Sequence, residues 1–314
     1  TIVEAFGELE PIRPEYRDRE ARLAVLDEQG VAATLLFPTL GVGLEEALKD
    51  DPEAAAAVFA GFNRWLEEDW GFAHQGRLFA VPYIPFLDPA AAVAELRDLL
   101  DRGAVAVNVR NAPVPVPGGY RSPFDPAYDP FWALAAESGV VVATHAGNDG
   151  YDAIVQMWEP GGAESSVFRS PLRNVVTKGR AVSDFYAAAV CHKLFERHPG
   201  LRLASVENGA SWIPDLLHRL DDAANRNPGF FAEHPRDTFG EHVWVTPFWE
   251  DDVAEVAAAF RVDRLLLGSD WPHAEATLTP FEFVTDTLAG LPGADVERIA
   301  RTNAVDLLGV DVPA

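Results

Sequence analysis

Three short apolar runs in this chain each end on an ionisable side chain, and they recur at nearly equal intervals. Val140-Val-Val-Ala-Thr-His145 ends on a histidine, Leu201-Arg-Leu-Ala-Ser-Val-Glu207 on a glutamate, and Arg264-Leu-Leu-Leu-Gly-Ser-Asp270 on an aspartate. The three ends lie 62 and 63 residues apart. A buried strand fixes the position of its last side chain, while the loop that follows admits a ligand. Repetition of this arrangement at one spacing implies parallel strands whose polar ends gather on one face. The fold expected is α/β, a TIM-like (β/α)8 barrel with its chemistry on the C-terminal rim.

Alternation of aliphatic runs with amphipathic stretches supports that architecture. Seven strands are expected, at Val31–Phe37, Leu78–Pro82, Ala104–Val109, Val140–Thr144, Arg202–Val206, His242–Val245 and Arg264–Leu267. Helices are expected between them at Asp18–Gln29, Pro52–Trp70, Pro89–Asp101, Tyr128–Ser138, Val182–His198, Trp212–Asn225, Asp251–Phe260 and Phe281–Leu288, with Asp295–Leu308 closing the chain. This count is one strand short of eight, and the missing element is expected to be the first. The chain opens on Thr1 and its one methionine is Met157, so residues upstream are expected. Residues 1–314 therefore read as a single, N-terminally incomplete barrel domain. A long insertion at about 147–178 follows His145 and, lying beyond a strand's C-terminal end, is expected to act as a lid. Asn111–Pro130 forms a second Pro- and Gly-rich segment, and no internal repeat appears beyond the strand–helix rhythm.

The formal net charge of −24 would repel nucleic acid and anionic membranes. No apolar run is long enough to span a bilayer and no signal-peptide pattern is present, so a cytoplasmic protein acting on a small molecule is the expectation. Cys191 is the only cysteine, which excludes an internal disulfide and a multi-cysteine zinc site. A metal would rest on histidine and carboxylate ligands.

Further segments carry a resemblance to a known family. They include Arg22-Leu-Ala-Val-Leu-Asp-Glu-Gln-Gly, Leu36-Phe-Pro-Thr, Phe62-Asn-Arg-Trp-Leu, Arg77-Leu-Phe-Ala and Ser122-Pro-Phe-Asp-Pro-Ala-Tyr-Asp-Pro-Phe-Trp. Thr144-His-Ala-Gly, Phe195-Glu-Arg-His-Pro-Gly-Leu-Arg and Gly268-Ser-Asp-Trp-Pro-His complete the set. In order and spacing the chain resembles the amidohydrolase superfamily, in the second amidohydrolase family that includes aminocarboxymuconate-semialdehyde decarboxylase. The resemblance implies a TIM-like barrel with one divalent metal ion, commonly zinc with manganese or iron as alternatives, and a metal-activated water. It implies that His145 is the fifth-strand metal ligand and Asp270 the eighth-strand ligand. The paired ligands of a first strand have no counterpart in this chain. Such relatives often form dimers, so a homodimer is an open expectation.

The same resemblance gives Asp270 a second role, taking the proton from a metal-bound water. Glu207 departs from the pattern, because decarboxylase-like relatives carry a histidine there. A carboxylate can act as a base or orient a ligand but cannot steady a developing anion with positive charge. Trp271 and His273 follow Asp270 closely and are expected near substrate. Trp158 and Arg173 in the insertion could supply an aromatic wall and a carboxylate clamp, and His192 is a weaker candidate for the same pocket. Three readings follow. The first is a metal-dependent hydrolase acting on a small organic substrate, aromatic or carboxylate-bearing compounds among them. The second is a non-oxidative decarboxylase of an aromatic or unsaturated carboxylic acid. The third is a metal-free binding protein on a decayed barrel.

Overall fold

In the computed structural model, which describes residues 11–38, 40–159, 171–273, 276–277 and 279–313, eight strands are defined. They are β1 (Thr34–Leu36), β2 (Leu78–Ala80), β3 (Ala106–Val109), β4 (Val114–Val116), β5 (Gly119–Arg121), β6 (Val141–His145), β7 (Arg202–Val206) and β8 (Val243–Val245). β1 pairs with β2, and β3, β6, β7 and β8 form a second sheet in that order, every pair parallel. A parallel bridge between Tyr83 and Asn108 carries the ladder from β2 to β3, and another between Val245 and Leu265 extends it beyond β8. Among the described residues the succession is thus β1, β2, β3, β6, β7, β8 and the Leu265 segment, which is the strand order of a (β/α) barrel.

Each helix that crosses back begins on a recognisable signal. Asp51 and Asp88 accept hydrogen bonds from the first free amides of Pro52–Asp69 and Pro89–Asp101, and each is followed by a proline at the first helical position. Asp18 caps Arg19–Glu28 through Ala21 N in the same way. Because the strands are covered on both faces, they read as continuous apolar runs. Strand parity divides those runs into two cores. Val107, Val109, Val142, Leu203, Val243 and Val245 face the helices. Val81, Ala106, Val141, Ala143, Ala204, Trp244 and Leu266 meet inside the barrel. Fully burying one of the valine or leucine side chains stabilises the fold by about 1.5–3 kcal/mol. In the outer core the ring of Phe86 stacks on Tyr128 and meets Phe131 and Trp132 edge-on. The polar ends of that cluster are satisfied, Trp132 Nε1 donating to Pro123 O and Tyr128 Oη to Phe86 O.

Several expectations are corrected. Arg264–Leu267 is not a regular strand: Val262–Arg264 is a 3₁₀ turn and only Leu265 bridges to β8. Leu266 N still donates to Val245 O, but beyond it Leu267 N donates to Ile299 O, and Asn303 Nδ2 takes up Leu265 O. Val182–His198 is broken after Arg180–Cys191, because Lys193 takes a left-handed conformation before Leu194–Arg197. The insertion contains the helices Asp152–Trp158 and Pro171–Thr177, and its residues 160–170 lie outside the described residues. Asn111–Pro130 contains the antiparallel β4–β5 hairpin, and Pro235–His242 is a helix with no sequence expectation. No helix among the described residues is long and apolar enough to cross a membrane.

Candidate functional site

The inner face of β6 presents Val141, Ala143 and then His145, which is 8% exposed at the strand's C-terminal end. Its Nδ1 lies 2.6 Å from Ala146 O. A carbonyl can only accept, so Nδ1 carries a proton and Nε2 is turned toward the barrel mouth. The Phe37 ring lies 5.3 Å from the imidazole, centroid to centroid, and walls its other side.

On β7, parity would send Glu207 outward, since Ala204 and Val206 face inward. The residue instead adopts φ +53°. Asn208 Nδ2 braces the bend by donating to Thr144 O and Val206 O, and Glu207 N donates to Thr246 Oγ1. The turned carboxylate brings Oε2 within 2.7 Å of His145 Nε2. Oε2 is buried, yet it lies off any donor's direction and accepts no hydrogen bond. His145 Nε2 and Glu207 Oε2 thus meet as an ion-pair contact outside hydrogen-bond geometry, an arrangement in which a bound cation would take the place between them.

Asp270 completes the cluster, again with a positive φ, of +54°. A left-handed conformation costs a residue with a Cβ about 1–2 kcal/mol, so two rim positions, one on either side of β8, carry strain beside the carboxylates that they present. Asp270 Oδ1 lies 3.3 Å from His273 Nδ1. Glu207, Asp270 and His273 each offer a ligand atom, all within 4.8 Å of one another. One imidazole and two carboxylates form a set suited to zinc, manganese or iron, and His145 Nε2 lies beside it against Glu207 Oε2. The residues fit a divalent ion, and the orphaned Glu207 oxygen is the observation behind that judgement.

The other expected site residues are dispersed. The Trp271 ring meets Tyr16 edge-on and lies under the Arg22 guanidinium at 4.7 Å, packed against the N-terminal helix. Trp158 is exposed at the end of its helix. Arg173 forms an ion pair with Asp152 at 2.7 Å, joining the two helices of the insertion. His192 is exposed on the outer layer, its Nδ1 2.9 Å from Ser122 Oγ.

Sequence reasoning passed over two polar residues on the same rim. Asn108, on β3, is registered with inward-facing Ala143 and is 1% exposed. Arg110 stands two residues further on, just beyond the last registered pair, Val109 with Thr144, and its side chain is 5% exposed. The signal was legible in Val105-Ala-Val-Asn-Val-Arg110, where polar residues replace the inward members of a valine-rich strand. Arg110 Nε donates to Asn148 O and Nη2 contacts Glu46 Oε2 at 2.5 Å. Nearby, burial pushes the carboxyl groups of Glu45 and Asp149 above the usual carboxylate range. For Glu45, burial outweighs hydrogen bonds from Tyr83 Oη and Phe86 N.

Comparison with known proteins agrees with the barrel fold. The family model described as Amidohydrolase matches residues 11–310. A crystal structure of an amidohydrolase from Mycobacterium avium subsp. paratuberculosis K-10 is similar at 42% identity and a TM-score of 0.91, covering 96% of this chain and 78% of that one. A 2,6-dihydroxybenzoate decarboxylase complexed with 2,6-dihydroxybenzoate has the same fold at 21% identity, TM-score 0.72, over 94% of this chain and 90% of that one. So does a dihydroxybenzoic acid decarboxylase from Polaromonas sp. JS666 with bound manganese and 2-nitroresorcinol, at 17% identity, TM-score 0.69, over 93% and 86%. No curated protein matches.

Proposed function

This chain belongs to the amidohydrolase family, and from that premise we propose that it is a divalent-metal-dependent decarboxylase of a small aromatic or unsaturated carboxylic acid. The observation that carries the metal assignment is the convergence of His145 Nε2 and the hydrogen-bond-free Glu207 Oε2, 2.7 Å apart, beside Asp270 and His273. The choice of decarboxylation over hydrolysis draws support from the two dihydroxybenzoate decarboxylases that share the fold, one of them with manganese.

In this reading His145, Glu207 and Asp270 would hold the ion. When bound, the ion supplies Lewis acidity toward a carboxylate or phenolate oxygen of the substrate. His145 is oriented by its bond to Ala146 O, which keeps a proton on Nδ1 and turns Nε2 toward Glu207. His273 is part-exposed and lies 3.3 Å from Asp270, so its ring can pass a proton from solvent to the site. That proton goes to the ring carbon bearing the carboxylate. The electron pair of the breaking carbon–carbon bond returns to the ring, and carbon dioxide leaves. The apolar floor of Ala106, Ala143, Ala204 and Trp244 keeps water from beneath the reacting carbon.

Hydrolysis is the second reading. It is favoured by the partial exposure of the Asp270 and Glu207 side chains, 26% and 22%, which lets water reach two possible bases. The test uses protein loaded with manganese or zinc, its metal content checked by inductively coupled plasma mass spectrometry, and 2,6-dihydroxybenzoate as first substrate. Release of carbon dioxide, with deuterium from D₂O on the ring carbon, is the expected result. Product carrying oxygen-18 from labelled water, with no carbon dioxide, would replace decarboxylation by hydrolysis.

A further inference from the structure

Asn108 and Arg110 share one wall of the barrel mouth, and both are buried with hydrogen-bonding atoms left over. Among the described residues, Asn108 Nδ2 and Oδ1 and Arg110 Nη1 have no partner. A buried polar atom without a partner is costly, and native structures hold few of them. Here the unpartnered atoms belong to Asn108 on β3 and to Arg110, the first residue beyond it, two positions on and about 7 Å further along an extended backbone. Asn108 is registered with Ala143, two residues before His145, and Arg110 follows the last registered pair, Val109 with Thr144, so both stand on the strand beside the one that carries His145 or at its end. Below them lies the apolar layer of Ala106, Ala143 and Ala204, which offers nothing to bond to.

We propose that Asn108 and Arg110 form a carboxylate-reading wall, and that the site selects a small organic acid through it. This rests on the reading of the rim as a metal-dependent decarboxylase site. One carboxylate oxygen takes the N–H of Arg110 Nη1 and the other takes an N–H of Asn108 Nδ2. Asn108 Oδ1 remains to accept from a neighbouring hydroxyl, which points to a hydroxy acid. The Arg110 charge is already paired with Glu46, so the wall contributes aimed donors more than net positive charge. That suits reaction as well as binding. A carboxylate held by directional bonds is oriented for departure, whereas an unpaired cation would hold back the loss of its negative charge.

The test is isothermal titration of manganese-loaded protein with 2,6-dihydroxybenzoate and with resorcinol, which is the same ring without the carboxylate. Wild type is expected to bind the acid at least tenfold more tightly. Asn108→Leu and Arg110→Lys are each expected to weaken acid binding tenfold or more; Arg110→Lys is expected to leave resorcinol binding unchanged, and Asn108→Leu, which also loses the hydroxyl acceptor, to weaken it by less than it weakens the acid. Asn108→Leu breaks no side-chain hydrogen bond, so its melting temperature is expected to hold or rise, and it serves as the decisive variant should Arg110→Lys fail to fold. Acid affinity in Asn108→Leu equal to wild type, or a wild type that does not prefer the acid, would overturn the proposal. Metal content is measured on the same samples. Its absence in wild type would defeat the decarboxylase reading, whereas normal metal content with unchanged acid affinity in Asn108→Leu defeats only the carboxylate wall.

Discussion

Gly209→Ala tests whether the bend after β7 is as tightly determined as its geometry implies. Gly209 has φ +64°, and a Cβ built there would lie 2.6 and 2.8 Å from Cδ2 and Cε2 of Phe248 and 3.1 Å from Asp251 Oδ2. Phe248 cannot retreat freely. Asp251 Oδ2 accepts from Phe248 N at 2.9 Å and from Ala210 N at 2.7 Å, stapling the loops after β7 and β8 together. The substitution thus incurs a left-handed penalty of about 1–2 kcal/mol and an overpacking penalty of about 1–3 kcal/mol. Gly229→Ala is the matched control, with φ +79° but nothing within 4 Å of the added Cβ, so it incurs only the first penalty. At about 2 °C per kcal/mol for a chain of this size, Gly209→Ala should lower the melting temperature by about 4–10 °C. The control should lower it by about 2–4 °C. Circular dichroism melts of the two variants measure the difference, which isolates the clash from the backbone strain. Because the bend aims Glu207 at His145, Gly209→Ala should also lose metal while Gly229→Ala keeps it. Equal melting temperatures and equal metal content in the two variants would refute the argument.

Two further outcomes follow from the rim. Burial raises the Glu45 carboxyl above its ordinary value of 4.5, so the folded state holds that proton more tightly than the unfolded chain does. Its contribution to stability is fully present below 4.5 and is lost as pH rises through the raised folded value; urea denaturation of Glu45→Gln from acid to neutral pH should therefore show the variant gaining on wild type as pH rises, and a pH-independent difference would contradict this sign. Manganese or zinc at a hundredfold its dissociation constant should stabilise wild type by about 2.7 kcal/mol, about 5 °C, and Asp270→Asn should abolish that shift in thermal melts; a wild-type melting temperature unmoved by either ion would remove the metal from the rim.

What the chain disclosed of itself depended on whether a property is periodic. The parallel order, the helices that begin on Asp-Pro, and the apolar runs covered on both faces follow from patterns that repeat every two residues or every three to four, and these were legible. His145 was legible for the same reason, because it continues the inward parity of Val141 and Ala143. Glu207 was legible as a strand end but not as a neighbour of His145, since parity alone sends it outward and only the left-handed bend returns it. That bend is encoded at a distance, in Asn208 reaching back to Thr144 and in Thr246 on the next strand. Trp271 shows the opposite case, where proximity to Asp270 in sequence suggested substrate and the ring instead packs on Arg22. Asn108 and Arg110 were overlooked because a polar residue within a valine-rich strand reads as an interruption of the core. Their inward parity, two and four residues after Ala106, marks them instead as the point where the barrel interior ceases to be core and becomes a binding surface. A site built on strand ends is therefore visible in sequence as far as the strand's own rhythm reaches. The residues that decide which substrate it takes lie where that rhythm and the chemistry of the side chain disagree.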